Sequence, residues 1–515
     1  MSTEPASPDA FLEDAAHYPG GHARGVLFPR SAADIADMLR RVPAALPVGA
    51  QSSLTGGATP MGEMIISTSK MTEVVSRSAD RITVQAGLTV AAMQEHLAAA
   101  GAWFPPAPTF TGASAGGIVS TNAAGAATFK YGSTRPWVEA LIVVLADGTI
   151  LDLHRRDVTA HAGTFTLDTR SGPVTVPVPS YVMPDVAKRS AGYHAHSNMD
   201  LVDLFIGAEG TLGVVAQITF RVMTTAPQST LALIPCRSER QALDVVIALQ
   251  HASLQTRQAA DPAGIDTAAI ENIDERSIQI LREDGADKAN DVTFPEGSRV
   301  ALLVQLELPA GTSSAQAYDQ IGSALTPDAP DSALTRFCQL LERHSLLDVT
   351  ELALPGDRRR TDQLIAIREA VPAGVNRRVG VAKREIDPRI EKTAADMVVP
   401  LEAFGEMMDV YRRGFQARGI DYAIWGHISD GNVHPNVIPR SYDDVVRGKE
   451  AILEFGRAAV ALGGCPLAEH GVGRNLVKQA LLRQLYGDAG ISEMRAVKRA
   501  LDPEWKLAPG VIFPR

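Results

Sequence analysis

One hydrophobic core stops growing at roughly 250–300 residues, after which a chain divides. This chain has 515 residues, so it must fold as two or three packed units. The character of the sequence changes around Thr224-Thr225-Ala226-Pro227. Before that point short strands and helices alternate with glycine-rich loops; after it come long helices and well-separated strands. The expected division is an arm over 1–24, a first domain over 25–227, a second over 228–475 and a returning segment over 476–515.

Composition excludes several classes. With 45% hydrophobic and 21% charged residues the chain reads as soluble and globular. A formal net charge of -10 argues against non-specific nucleic-acid binding. No run of about 18 apolar residues predicts a membrane span, and the polar N-terminus lacks a signal-peptide core. Cys236, Cys338 and Cys465 are too scattered for a metal-spaced pair, a disulfide framework or a four-cysteine iron–sulfur cluster. A cytoplasmic location is expected, with attachment to the inner-membrane face left open. A homodimer is the commonest assembly on general grounds.

Local patterns predict individual elements. Ser31 can cap a helix to Arg40 that turns Ile35, Met38 and Leu39 to one side. Arg81–Ala86 alternates like a strand, and Val90–Ala100 reads as a helix ended by Gly101. Val138–Leu145 reads as a buried strand, turned by Asp147-Gly148 into Thr149–Leu153. Gly213–Val222 and Ala301–Glu307 read as strands, the second with alternation. Leu334–His344, Asp362–Ala370 and Leu401–Arg418 read as helices.

Three glycine-rich loops mark the first half. They are Pro47-Val48-Gly49-Ala50-Gln51-Ser52-Ser53-Leu54-Thr55-Gly56-Gly57, Gly112-Ala113-Ser114-Ala115-Gly116-Gly117 continuing to Asn122 and Gly125, and Gly207-Ala208-Glu209-Gly210-Thr211-Leu212-Gly213. Backbone amides in such loops are unobstructed and can face a phosphate. None carries GxGxxG in a βαβ unit, and no GxxxxGK[ST] occurs, so neither a Rossmann nicotinamide site nor a P-loop is supported.

The second half holds Gly426-His427-Ile428-Ser429-Asp430-Gly431-Asn432-Val433-His434 and Glu469-His470-Gly471-Val472-Gly473. Asp430-Gly431 favours a turn, so both histidines flank a tight loop and can face one centre. Imidazoles plus a carboxylate suit Zn²⁺ or Mn²⁺. All four groups are read as lying in glycine-rich turns that bury little apolar surface.

Taken in order, the three loops resemble the flavin half of the vanillyl-alcohol oxidase type of FAD enzyme. The runs Lys188-Arg189-Ser190-Ala191-Gly192-Tyr193 and Gly207 to Val215 make the resemblance specific to its D-lactate dehydrogenase, glycolate oxidase and D-2-hydroxyglutarate dehydrogenase branch. The GHISDGNVH and EHGVG runs are similar to motifs of the same branch, as is Leu501 to Gly510. The resemblance implies an α+β fold: an FAD-binding domain of two subdomains, and a substrate domain of antiparallel sheet covered by helices. It implies FAD contacts at Pro47, Gly49, Ala50, Gln51, Ser52, Ser53, Leu54 and Thr55. It extends them to Pro108, Thr109, Gly112, Ala113, Ser114, Gly116, Gly117, Asn122 and Gly125, then to Glu209, Gly213, Val214 and Val215. With no histidine at Ala50 or Gln51, non-covalent FAD is expected.

By the same resemblance His427, His434 and Glu469 are metal ligands, His470 is the base, and Asn436 touches substrate. Arg368 falls where the branch binds a carboxylate, which a guanidinium can grip in bidentate fashion. A substrate lysine is expected as well. Lys392 has the right sequence after it, while Lys383 has the better spacing from Arg368, and an insertion over Arg384 to Glu391 leaves the choice open. Pro372 stands where D-2-hydroxyglutarate dehydrogenases have threonine, and Ser429 where glycine is usual. The implied reaction is oxidation of a D-2-hydroxy acid to the 2-oxo acid, with hydride passing to flavin N5. A quinone, a cytochrome, an electron-transfer flavoprotein or oxygen would then take the electrons. Two other classes stay open: a non-redox flavoenzyme of the alkyl-dihydroxyacetonephosphate synthase type, and a flavin subunit of a larger electron-transfer complex.

Overall fold

A computed structural model describes residues 7–514; residues 1–6 of the expected arm lie outside them. Contacts divide the chain into two units. The first comprises residues up to Gly125, Gly132–Thr224 and Cys465–Arg515; the second comprises Ala126–Tyr131 and Thr225–Gly464.

The first unit is built on two main sheets. Strands Gly25–Leu27, Met64–Ser67 and Ala45–Val48 form a parallel sheet with Met64–Ser67 in the middle. Five strands form an antiparallel sheet in the order Val74–Arg77, Arg81–Gln85, Val214–Arg221, Val138–Val144, Ile150–His154. Helix Ala32–Arg41 starts where the sequence says, because Ser31 Oγ accepts from Asp34 N–H. Such a cap stabilises by about 1 kcal/mol. Ile35, Ala36 and Leu39 are buried beside Val144 and Val214, with Met38 partly covered.

The second unit is one seven-stranded antiparallel sheet with helices packed on it. Its order is Glu351–Ala353, Gln228–Cys236, Val300–Leu308, Asp266–Asp274, Asp421–His427, Asn432–Ile438, Met397–Val398. Val300–Leu308 does not show the burial expected of an alternating strand: every residue but Gln305 is buried. A central strand has its neighbours on both edges, and here both faces are covered. Ala301 and Leu303 face a core shared with Ile278, Leu281, Leu364, Ile367 and Val371, while Leu302, Val304 and Leu306 are buried as well.

Two other sequence expectations change. The helix expected to end near Ala370 runs from Arg358 to Glu385 and passes through Pro372. Proline removes one helical hydrogen bond, yet Leu364, Ile367, Val371, Val375, Val379 and Ala382 form one buried stripe along the helix. Continuous burial outweighs the local break. The returning segment, expected from 476, joins the first unit at Cys465, because side chains of that unit hold the Glu469–Arg474 stretch.

His194, in the first unit, gives a pH test. Burial, reinforced by the Arg135 charge, lowers its pKa to about 3. A base depressed in the folded state contributes fully above its unfolded pKa of about 6.5, and that contribution is lost as pH falls toward the folded value. Denaturant unfolding between pH 7 and pH 4 should therefore show stability falling with pH, and His194→Gln should flatten the slope. An unchanged slope in the variant assigns the acid sensitivity elsewhere.

Candidate active site

In the first unit the three glycine-rich loops touch one another. Gly49 lies against Ser114 Oγ, leaving no room for a Cβ. Ser114 caps the short helix Ala115–Ser120 through Gly117 N–H, and Gly116 packs closely on Ala86. The third loop joins the second through Gly207 N–H to Val119 O and Glu209 N–H to Ser120 O. Each loop holds one non-glycine residue with positive φ: Gln51 at 54°, Asn122 at 48° and Glu209 at 50°. Such conformations are strained for these residues and cluster at functional sites.

The first loop has the character of an anion cradle. The N–H groups of Gln51, Ser52, Ser53 and Leu54 donate to no acceptor among the described residues. Successive amides around a left-handed residue form a concavity suited to phosphate. Ser53 Oγ accepts from Thr55 and Gly57 N–H and keeps the loop tight. The arm packs on this loop, with Ala15 N–H donating to Gln51 O and the Tyr18 ring lying on Gly56. Phe110 is 60% exposed and its ring lies over Gly112, with Pro108 and Thr109 just before it.

Several residues expected at the cofactor also make contacts within the fold. Asn122 Oδ1 accepts from Arg135 N–H, while Gly125 backs onto Ala107 O and Gly213 onto Val143. Val214 and Val215 are buried at the start of a central strand, and Ala113 is buried beside Ser114.

Glu469 and His470 lie on a loop of this unit that is fixed from several sides. Lys188, fully buried, pairs with Glu469 Oε1 at 2.5 Å. Ser190 N–H donates to Leu467 O and Ala468 O. Breaking a buried pair of this kind by removing one partner costs about 3–5 kcal/mol. Lys188 stands in a recognised run, but its pairing was not readable from it.

In the second unit the two histidines are not in loops. His427 ends strand Asp421–His427, and His434 lies inside strand Asn432–Ile438. They are only 2% and 8% exposed, so the expectation that the motif buries little is wrong. The chain between them forms a hairpin, and Gly431 has a φ of 76° with Val399 O where a Cβ would sit.

Strand register explains what surrounds them. Glu271 pairs with His427, Trp425 with His434, Met397 with Val433, and Ala394 bridges Asn436. Opposed residues and residues two apart share a face. His427, His434, Asn436, Glu271 and Asp396 therefore point the same way. His427 Nδ1 lies 2.9 Å from Glu271 Oε1. His434 Nδ1 lies 3.4 Å from Asp396 Oδ1, which also accepts from Asn432 Nδ2 at 3.2 Å. The imidazoles are perpendicular, with centroids 5.7 Å apart.

A metal-binding histidine characteristically directs its other ring nitrogen to a carboxylate, which fixes ring orientation and raises ligand basicity. His427 matches that arrangement through Glu271. At His434 the Asp396 carboxylate lies beside Nδ1 at a distance long for a hydrogen bond. Two buried imidazoles with carboxylates near them are a donor set that fits a divalent cation. Glu271 and Asp396 were missed from sequence. The available signal was a carboxylate inside the buried runs Ala268–Ile273 and Ala395–Val399, where a charge needs a partner.

Arg368 reaches the same group from helix Arg358–Glu385, with Nε 3.5 Å from Glu271 Oε2. Asn436 Nδ2 donates to His434 O at 2.7 Å, while its buried Oδ1 accepts no hydrogen bond among the described residues. Lys392 is solvent-accessible, yet surrounding protein desolvates its ammonium and lowers its pKa. Lys383 is exposed in the last turn of its helix.

Comparison with known proteins matches residues 237–512 to the C-terminal domain of FAD linked oxidases, and residues 23–154 to an FAD binding domain. The chain belongs to the FAD-linked oxidase family. It is an FAD-binding oxidoreductase. It is 26% identical over 498 residues to a probable mitochondrial D-lactate dehydrogenase of Danio rerio, covering 95% of this chain and 84% of the relative. Glycolate oxidase subunit GlcD of Bacillus subtilis is 26% identical, covering 95% and 89%. D-2-hydroxyglutarate dehydrogenase of Xanthomonas citri pv. viticola is 26% identical, covering 100% and 94%. A solved alkyldihydroxyacetonephosphate synthase has the same fold at a TM-score of 0.54 and 12% identity, covering 94% of this chain and 76% of that one. No helix among the described residues is long and apolar enough to cross a membrane.

Proposed function

We propose that this FAD-linked oxidase family member oxidises a D-2-hydroxy acid of the D-lactate class to its 2-oxo acid. The observation that carries the reading is the pair of buried histidines, His427 hydrogen-bonded to Glu271 and His434 beside Asp396, with an arginine next to Glu271. The relatives' names supply the reaction class.

Arg368 binds the substrate carboxylate, a role suited to a planar guanidinium. His427 and His434 would hold a divalent cation, zinc or manganese, with Glu271 orienting the His427 ring and Asp396 close to His434. Glu469 as third ligand and His470 as base rest on the EHGVG motif. His470 takes the proton of the 2-hydroxyl as a general base. Asn436 Oδ1 and Lys392 offer further polar contacts to substrate. The Gln51–Leu54 amides would hold the pyrophosphate of a non-covalently bound FAD. When bound, FAD supplies the hydride acceptor and the cation supplies Lewis-acid polarisation of the hydroxyl.

Anaerobic mixing with D- and L-2-hydroxy acids, with and without a chelator, tests the proposal. Bleaching of the flavin band by a D-acid, abolished by chelation, is the expected result. A bound flavin that no acid bleaches would overturn it in favour of a non-redox flavoenzyme or a subunit of an electron-transfer complex. Reoxidation by a quinone, a cytochrome, an electron-transfer flavoprotein or oxygen then identifies the acceptor class.

A further inference from the structure

The resemblance implies Glu209 as a cofactor contact; in the structure its side chain grips a neighbouring turn. Its Oε1 accepts from Val472 N–H and its Oε2 from Gly473 N–H, both at 2.8 Å. Those amides directly follow Glu469-His470-Gly471. The turn has been shaped to admit the carboxylate: Gly471 and Gly473 have positive φ, at 73° and 57°. A Cβ on Gly471 would lie 2.9 Å from Glu209 Oε1. One on Gly473 would strike Thr55, whose carbonyl accepts from Arg474 N–H. Glu209 adopts a left-handed backbone itself, and its own N–H is tied to Ser120 O in the second glycine-rich loop.

We infer that Glu209 is a positioning residue, a two-oxygen clamp that registers the His470 turn against the loops assigned to the flavin. All three glycine-rich loops share in the grip: the first through Thr55, the second through Ser120, the third through Glu209 itself. A base must sit within hydrogen-bond reach of its proton, and a displacement of about 1 Å can cost on the order of 100-fold in rate. The clamp therefore acts on the chemical step and leaves ground-state substrate binding, assigned to Arg368, largely alone. The inference rests on the proposed role of His470.

Glu209→Gln is the decisive variant, because it replaces one acceptor oxygen by an NH₂ that opposes a backbone N–H. Glu209→Asp keeps the charge and shortens the reach. With the FAD-loaded full chain, two quantities are read: amide exchange of the 468–476 segment, and the rate constant and half-saturation for flavin reduction by the acid that bleaches wild type. The expected result is faster exchange at 472–473 and a reduction rate down roughly 10- to 100-fold. Half-saturation and FAD content should stay within about threefold, and Glu209→Asp should recover part of the rate. Unchanged exchange and rate in Glu209→Gln would overturn the clamp. Loss of FAD in parallel with rate would overturn it too, by making Glu209 a cofactor contact. If no acid bleaches wild type, the functional reading fails, while the exchange measurement still decides whether Glu209 holds the turn.

Discussion

Replacing His470 by alanine is expected to slow flavin reduction by about 100-fold or more, the usual scale for losing a general base. The residue stands on a turn held by Lys188 at Glu469, by Ser190 at Leu467 and Ala468, and by Glu209 at Val472 and Gly473. Those contacts do not use the imidazole, so FAD content should match wild type, which separates loss of a base from loss of the cofactor. Rapid-mixing absorbance under anaerobic conditions reads the effect. A His470→Ala enzyme that reduces its flavin at close to the wild-type rate would remove His470 from the role.

The second large effect concerns the proposed metal. His427→Ala should strip the divalent cation, read as metal per protein by elemental analysis, and abolish flavin reduction by substrate, with FAD content unchanged. FAD retention is expected because the residues assigned to it lie in the first unit and His427 in the second. Glu271→Gln provides a graded version. It keeps the His427 ring but weakens the group behind Nδ1, and outer partners of this kind are worth roughly 10- to 100-fold in metal affinity. Because Glu271 also faces Arg368 at 3.5 Å, the same variant should alter the concentration of substrate needed for half-maximal reduction. Joint loss of metal and FAD in His427→Ala would mean that the histidine supports the fold instead.

Local chemistry in the sequence went far. Ser31 capped its helix, Asp147-Gly148 turned its hairpin, and the glycine-rich loops and histidine motifs indicated an FAD-linked oxidase before any contact was known. These signals work because each needs only neighbours in the chain: a side-chain oxygen within three residues of an N–H, or a glycine where φ is positive. The pattern misled where burial came from elsewhere. Val300–Leu308 is enclosed on both faces, Pro372 is carried through a helix by its buried stripe, and the histidines of the hairpin are strand residues inside a sheet.

By itself, then, the sequence determined the family, the cofactor class and the residue types of the candidate site. Only the tertiary structure decided what each of them is held by. Glu271 meets His427 across 156 residues, Lys188 meets Glu469 across 281, and Glu209 meets Val472 across 263. Nothing local encodes such pairs. They follow from strand register and from the return of the C-terminal segment, and both are set by the burial of whole elements, of which no single motif carries a trace.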